Sequence, residues 1–396
     1  MSAALPRTTV LLVQPTSEVG GSDLALLRLV TGLDKERYRP IVALPGPGPL
    51  VRKLADSGAS VRFVSMPPLR RTLNPLIQGR YAAGFLPSVA ALRRVILEDR
   101  IDIVHSNSLF TLYGGAAARR TGRPHVWHIR EILTGRGPVR TFLVRLVRRW
   151  ATEAIAMSSA VAQMLAEGSR PARSRVIPDG VDLDQFHPAI SGGRIRQELG
   201  IPDSAPLVTF IARLDPWKGL EIFLRAARAI KSDIPQARFL VAGGPIPTHA
   251  AYADRMKALA SELEIASCTF FTDWRYRLDD IPEVLAASSL LVHASIEPEP
   301  FGLVLIEAMA CGRPLVATAA GGVLDIVEDG ATGLLVAPGD AAATARAAVR
   351  ILSDPAVASA LGRAGRQRAE REFGLRSCVQ RVESLYQEIL SREAAA

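Results

Sequence analysis

The sequence predicts an α/β protein made of two doubly wound parallel-sheet domains that face a cleft. Three observations predict it. The chain has 396 residues, a length that suggests two domains rather than one. Short β-rich apolar runs alternate with longer helical stretches, the signature of parallel layers. The alternation also starts afresh near residue 206, after the Pro-, Gly- and Asp-punctuated stretch "SRVIPDGVDLDQFHP" that reads as a crossing between domains.

The elements follow in order. "TTVLLVQP" reads as a first strand, the loop "TSEVGGSD" follows, and "LALLRLVTGL" has helical apolar spacing. "RPIVALPG" and "SVRFVSMP" read as strands, "LPSVAALRRVILEDR" as a helix, and "IDIVHS" as the strand it feeds. The helix "LFTLYGGAAARRTG" precedes the strand "HVWHIR", and "EAIAMS" is a further strand. The second half opens with the strand "PLVTFIAR", the turn "LDPWKG", the helix "LEIFLRAARAIKSD" and the strand "ARFLVAGG". "CTFFTDWR", "LLVHAS" and "RPLVATAA" continue the strands, with helices "IPEVLAAS" and "GLVLIEAMACG" between them. A long amphipathic helix, "RSCVQRVESLYQEILSRE", ends the chain. In folds of this kind ligands lie outside the carboxyl ends of the strands.

Composition narrows the class. With 48% hydrophobic and 22% charged residues the chain is ordinary soluble globular protein, and no run of about 18 uncharged apolar residues suggests a membrane span. The opening "MSAALPRTTVLLVQP" has too short an apolar run for a signal peptide. Cys268, Cys311 and Cys378 lie far apart at no zinc spacing, which points to a reducing, cytoplasmic setting. Charge is lopsided: residues 1–188 hold 26 Lys+Arg against 14 Asp+Glu, and residues 189–396 hold 22 against 25. The first half therefore suits an anionic partner. Nothing indicates nucleic-acid recognition, and a dinucleotide oxidoreductase is poorly supported because no G-x-G-x-x-G follows a strand.

The chemistry concentrates in "EPEPFGLVLIEAMACGRP", residues 297–314. Its run from Leu303 to Ala310 is apolar except for Glu307, and a buried carboxylate is costly without partners. Pro300 and Gly302 suit a loop entering a helix, and "CGRP" stops it. A helix N-terminus offers unpaired N–H groups and a positive dipole end to an anion. Glu307 lies roughly 7 Å along that helix at 1.5 Å per residue, with Glu299 on the other side of the N-terminus. The two carboxylates can bracket a bound diphosphate and accept hydroxyl hydrogen bonds from what hangs off either end, which is the shape of a nucleoside diphosphate sugar. In "ARLDPWKG", Arg213 and Lys218 follow a strand where cations neutralise a leaving pyrophosphate. In "FTDWR", Trp274 and Arg275 end another strand, where a base would rest.

These stretches carry a resemblance. "EPFGLVLIE" resembles the E-x7-E signature of retaining glycosyltransferases of the GT-B fold, most closely glycosyltransferase family 4 (group 1). "ARLDPWKG" is similar to that family's G-R-L-x-x-x-K-G turn, "GGVLDIVEDGATGLLVAPGD" to its G-G-x-x-E segment, and "IPDGVDLDQFHP" to I-P-N-G-V-D-x-x-x-F. In the first half the likeness rests on Gly20-Gly21, "VHSNS" and "VWHIRE". Asp179 stands where the family usually has Asn, Asp325 where it has Glu, and Ala212 opens the G-R-L turn.

The resemblance implies two Rossmann-like domains: an acceptor-binding domain over 1–180 and a nucleotide-sugar-binding domain over 181–375, with the helix 376–396 crossing back to the first domain. It implies that Glu307 binds the donor ribose and Glu299 the transferred sugar's hydroxyls. Phe301, Gly302 and Leu303 would offer backbone contacts near sugar and phosphate, and Arg213 and Lys218 would hold the diphosphate and stabilise its departure. Arg275 or Trp274 would lie beside the base, and Gly21 would close over the phosphates as the domains close on the donor. His128, at the end of "HVWHI", matches the family's histidine near the sugar; His105 and His125 are rivals, with His125 the more structural.

The implied reaction is hexosyl transfer, with retention, from a UDP- or GDP-sugar to a glycan or lipid-linked acceptor in bacterial envelope or polysaccharide biosynthesis. No bound metal or other cofactor is expected: the nucleotide sugar is a substrate, and "DLD" at 182–184 reads as a turn. Two rivals stand beside this reading, a nucleotide-sugar epimerase or hydrolase of the same architecture and a non-catalytic nucleotide-sugar-binding protein. Residues 139–150, "VRTFLVRLVRRW", place Phe142, Leu143, Leu146, Val147 and Trp150 on one arc and Arg140, Arg145, Arg148 and Arg149 on the other, with Val144 intruding. A basic amphipathic helix of that kind suits peripheral contact with an anionic membrane at the inner face of the plasma membrane; packing of its apolar face on its own sheet is the commoner use.

Overall fold

The computed structural model describes residues 7–69, 74–135, 137–167, 173–246 and 249–395. The chain divides into two compact units, Met1–Gly180 with Leu375–Ala396, and Val181–Gly374. In chain order the first unit contains β1 (Thr8–Val13), α1 (Gly21–Gly32), β2 (Tyr38–Leu44), α2 (Pro49–Asp56), β3 (Ser60–Phe63), α3 (Pro75–Glu98) and β4 (Ile103–Ser106). It continues with α4 (Leu112–Thr121), β5 (His125–Ile129), α5 (Pro138–Trp150), β6 (Glu153–Ala156), α6 (Ser159–Ala166) and β7 (Ser174–Val176). The second unit contains α7 (Gly193–Glu198), β8 (Leu207–Ile211), α8 (Leu220–Asp233), β9 (Arg238–Ala242), α9 (Ala250–Glu262), β10 (Thr269–Phe271), α10 (Ile281–Ala287) and β11 (Leu290–His293). It ends with α11 (Leu303–Ala310), β12 (Leu315–Thr318), α12 (Val323–Ile326), β13 (Leu334–Val336), α13 (Ala341–Ser353) and α14 (Pro355–Glu372), before α15 (Leu375–Ala394) returns to the first unit.

Each unit is a parallel sheet with helices against it, as the alternation predicts. The first sheet runs β3-β2-β1-β4-β5-β6-β7 and the second β10-β9-β8-β11-β12-β13. Strand β1 shows why the apolar runs are nearly continuous: Val10, Leu11, Leu12 and Val13 are all fully buried because both faces of the sheet are covered. Val10 and Leu12 join a core with Leu26 and Leu29 of α1 and Val382 and Tyr386 of α15. Leu11 and Val13 point the other way, into a core with Leu92 of α3 and Ala117 of α4.

Order reverses in both sheets, between β1 and β4 in the first and between β8 and β11 in the second. These are the switch points where a crevice opens beyond the strand ends. Gly20-Gly21 follows β1; Arg213 and Lys218 follow β8, and Glu299 follows β11.

Helix α3 and strand β7 differ from the sequence reading, which also assigned no element to α2, α6, α7, α9, α12, β13, α13 or α14. Helix α3 begins at Pro75 instead of near Leu86, capped by Asn74, whose side chain accepts the Leu76 N–H at 3.0 Å. Pro87 reads as a first-turn proline but lies inside the helix. Residues 174–176 form β7, paired with β6, where the sequence shows only a crossing. A three-residue edge strand carries too little alternation to stand out. No helix among the described residues is long and apolar enough to cross a membrane.

Candidate active site

The turn after β8 is built to be tight. Pro216–Lys218 forms one 3₁₀ turn, and Gly219 then takes φ +74°. A Cβ on Gly219 would lie 1.9 Å from the Ala294 carbonyl oxygen, so the turn presses directly on the loop after β11. The Ile296 N–H closes the contact by donating to Trp217 O at 2.8 Å. Lys218 is thereby aimed at the end of β11, with its ammonium 4.0 Å over the Trp217 ring. Arg213, nearer the strand end, is exposed.

Lys218 meets Glu299. Its Nζ donates to Glu299 Oε2 at 2.6 Å; Ser295 Oγ donates to the same oxygen at 3.0 Å, and His293 Nε2 lies 3.3 Å from it. His293 Nδ1 is 3.4 Å from Thr318 Oγ1, which ties the cluster to β12. Burial by itself would raise the Glu299 carboxyl pKa, but the Lys218 ammonium and His293 override it and hold the group well below the carboxylate range. Glu299 is thus an ionised, oriented acceptor at a strand end.

The segment after Glu299 is clamped from a distant stretch. Gly322 N–H donates to Glu299 O at 2.7 Å, and Glu299 pairs with Gly321 as an isolated bridge. Gly321 has φ +67°, and a Cβ there would sit 2.2 Å from Glu299 O. The two G-G and E-P-F-G stretches are therefore one structure. Phe301 turns inward, edge-on to Phe373 at 6.1 Å between centroids, so only its backbone remains for a ligand. Gly302 caps α11, whose first residue is Leu303, and Glu307 is buried one turn along that helix. Helix α14 braces the far end: Arg366 donates to Ala310 O at 2.6 Å, and Arg368 to Asp325 O and Ile326 O at 2.8 Å each.

Trp274 and Arg275 lie in the turn beyond β10. Trp274 is 53% exposed, its indole N–H fixed to Pro245 O at 3.1 Å, and Arg275 is exposed beside it.

In the first unit, His128 on β5 is buried with its ring 5.4 Å from that of His105. His105 Nδ1 is 2.6 Å from the Tyr386 hydroxyl of α15. Burial, with Arg130 close by, pushes the pKa of both histidines down, His105 to about 3 and His128 well below its ordinary value. Both stay neutral near pH 7. His125 is on the opposite face, bonded to Trp150 O at 3.1 Å and Ser106 Oγ at 2.9 Å, in a structural role. Gly21 opens α1 behind Gly20, whose N–H donates to Asp23 Oδ2 at 2.9 Å.

Helix α5 needs a correction. Leu143, Val144 and Val147 are the buried face, whereas Phe142 is 57% exposed, so Val144 belongs to the packed side and Phe142 does not. Arg140 pairs with Glu167 at 2.6 Å, and Arg148 donates to the Leu165 and Glu167 carbonyls. Those two arginines bind the end of α6; Arg145 and Arg149 are the exposed ones of the four. The helical wheel separates apolar from polar but cannot tell which direction the neighbouring helix comes from.

Sequence reasoning passed over His293, Ser295 and Thr318, and the Arg130–Asp179 pair. The strand-end position of His293 in "LLVHAS" was the available signal.

Comparison with known proteins identifies the family. The Glycosyltransferase Family 4 model matches residues 19–185, and the Glycosyl transferases group 1 model residues 193–368. An alpha-maltose-1-phosphate synthase of Mycobacterium tuberculosis is 30% identical over 311 residues, covering 72% of this chain and 79% of that one. A D-inositol 3-phosphate glycosyltransferase of Acidothermus cellulolyticus is 35% identical over 58% of this chain, and the match spans 51% of that relative's length. Anabaena HepE, crystallised with UDP and glucose, superposes with a TM-score of 0.83 at 26% identity, over 96% of this chain and 100% of that one. A sucrose-phosphate synthase of Thermosynechococcus elongatus shares the fold with a TM-score of 0.81 at 23% identity, over 98% of this chain and 100% of that one. The protein is a GT-B glycosyltransferase. It belongs to the group 1, family 4 glycosyltransferases.

Proposed function

We propose that the protein transfers a hexose, with retention, from a nucleoside diphosphate sugar to a glycan or lipid-linked acceptor of the bacterial cell envelope. The observation that carries this reading is the convergence of Lys218, Ser295 and His293 on Glu299 Oε2 at the switch point of the second sheet. An ionised carboxylate held there suits sugar hydroxyls, and the adjacent ammonium suits a diphosphate. HepE, a 26% identical neighbour, was crystallised with UDP and glucose, and with UDP-glucose at 25% identity, which favours a UDP-sugar over a GDP-sugar.

In this reading the bond from the anomeric carbon to the diphosphate oxygen breaks while the acceptor oxygen bonds to the same face. The acceptor hydroxyl's proton passes to the departing phosphate oxygen. Arg213 and Lys218 neutralise the leaving diphosphate, Glu307 receives the ribose, and Phe301, Gly302 and Leu303 present backbone to sugar and phosphate. Trp274 or Arg275 flanks the base. Gly21 and His128 are assigned to the phosphates and the transferred sugar. Catalysis rests on electrostatics and positioning, with no metal in the leaving-group step.

The exposed strip of Phe142, Arg145 and Arg149 on α5 supports peripheral contact with anionic lipid at the cytoplasmic face of the plasma membrane. Incubation with radiolabelled UDP- and GDP-sugars, with and without lipid extract, tests the whole reading. Label in an acceptor supports it; free sugar alone marks a hydrolase, and binding without turnover a non-catalytic protein.

A further inference from the structure

A buried polar chain in the first unit is used by none of the roles above. Arg130 Nη1 donates to both oxygens of Asp179, at 2.8 and 2.7 Å. Its Nε donates to Asn107 Oδ1 at 2.6 Å, and its Nη2 lies 3.4 Å from His128 Nδ1. Asn107 passes the order on, donating through Nδ2 to Gln14 Oε1 at 2.7 Å and to Ser22 O at 3.1 Å. Gln14 Nε2 then donates to Asp23 Oδ1, and Asp23 Oδ2 accepts the Gly20 N–H. All five side chains (Asp179, Arg130, Asn107, Gln14 and Asp23) are buried.

We propose that Arg130, clamped by Asp179, is a positioning residue that holds His128 as its Nε2–H tautomer and ties the Gly20–Gly21 loop into the same network. A guanidinium only donates, so Nδ1 of His128 must accept and the ring proton must sit on Nε2. That Nε2 is buried and meets no partner among the described residues, leaving it to donate to a ligand oxygen. The amide orientations of Asn107 and Gln14 follow from the same end, since each oxygen is committed before each NH₂ is. The Asp179 carboxylate offers Nη1 two acceptors and a negative charge, where an amide would offer one acceptor and no charge. Gly180, next in the chain, is fixed as well, its carbonyl accepting from Arg28 at 3.3 Å. The consequence for turnover rests on the proposed transferase reading; the placement of the proton does not.

The test is the histidine ¹⁵N spectrum of the full chain at neutral pH, with the His128 signals assigned by their loss in His128→Asn. Expected is an Nε2–H tautomer in the native protein and a mixture in Arg130→Met, with Arg130→Lys closer to native and Asp179→Asn shifted toward the mixture. In the transfer assay Arg130→Met lowers kcat about tenfold or more while donor KM moves less than about threefold. Melting curves identify any variant that has not folded, and Arg130→Lys then carries the comparison. An Nδ1–H tautomer in the native protein, or an unchanged single tautomer in folded Arg130→Met, overturns the proposal. Spectra as expected with no transfer from any nucleotide sugar would uphold the positioning and count against the transferase reading alone.

Discussion

Lys218 Nζ lies 2.6 Å from Glu299 Oε2, although the two residues are 81 positions apart and follow different strands. Strands β8 and β11 are neighbours at the point where the sheet reverses order, so their loops meet there. The pair gives each group a partner while leaving both near a strand end. Glu299→Ala should therefore lower turnover more than donor affinity, because its assigned partner is the transferred sugar. The expected loss in kcat is on the order of a hundredfold, with donor KM within about threefold. Steady-state kinetics on folded variant protein checks it, and a change confined to KM would refute the assignment.

Gly219→Ala and Gly321→Ala should each abolish most activity and lower the melting temperature. Both residues have positive φ, and their Cβ atoms would collide with backbone oxygens of Ala294 and Glu299. The left-handed conformation alone costs about 1–2 kcal/mol for a residue with a side chain, before the collision is counted. A variant with native melting temperature and native kcat would show that neither close approach matters.

Stability should fall on acidification below about pH 6.5. Burial depresses the folded-state pKa of His105 to about 3 and of His125 to about 4. The unfolded chain therefore binds protons, below the ordinary histidine value, that the folded chain refuses. Each group costs about 1.4 kcal/mol per pH unit between its unfolded and folded pKa, and nothing above the unfolded value. Melting temperatures compared at about pH 7.5 and about pH 5 should drop, and His125→Gln should flatten the slope. A pH-independent melting temperature over that range would contradict the burial of neutral imidazoles.

The protein should float with anionic vesicles at low salt. The double variant Arg145→Glu, Arg149→Glu should abolish flotation, since only those two arginines of α5 are exposed beside Phe142. Loss of binding at high salt is expected for screened surface charge. Protein that stays in solution with anionic vesicles at low salt would make a soluble acceptor the better reading.

The sequence shows the fold through what is periodic or punctuated. Two rounds of strand and helix, the K-G turn at Lys218-Gly219, and the proline-glycine entry to α11 all come from local chemistry. The structure adds what depends on distant partners. Glu299 and Lys218 could both be read as facing a ligand, but nothing in either segment says that they face each other. His293 is one histidine at a strand end, ordinary until Thr318 and Glu299 are brought to its two nitrogens. Asp179 reads as a conservative departure from the family pattern, and only the fold brings Arg130 against it. On α5 the burial of Val144 and exposure of Phe142 follow from where the neighbouring elements lie, which no helical wheel contains.

The most direct test of the donor assignment is a titration of UDP- and GDP-sugars into native, Lys218→Ala and Glu307→Ala protein, followed by calorimetry. Native protein should bind one nucleotide sugar tightly, with affinity at least about tenfold weaker in each variant, because each change removes a group directed at the donor. Unchanged donor affinity in both variants, with both correctly folded, would contradict the placement of the nucleotide on the second unit.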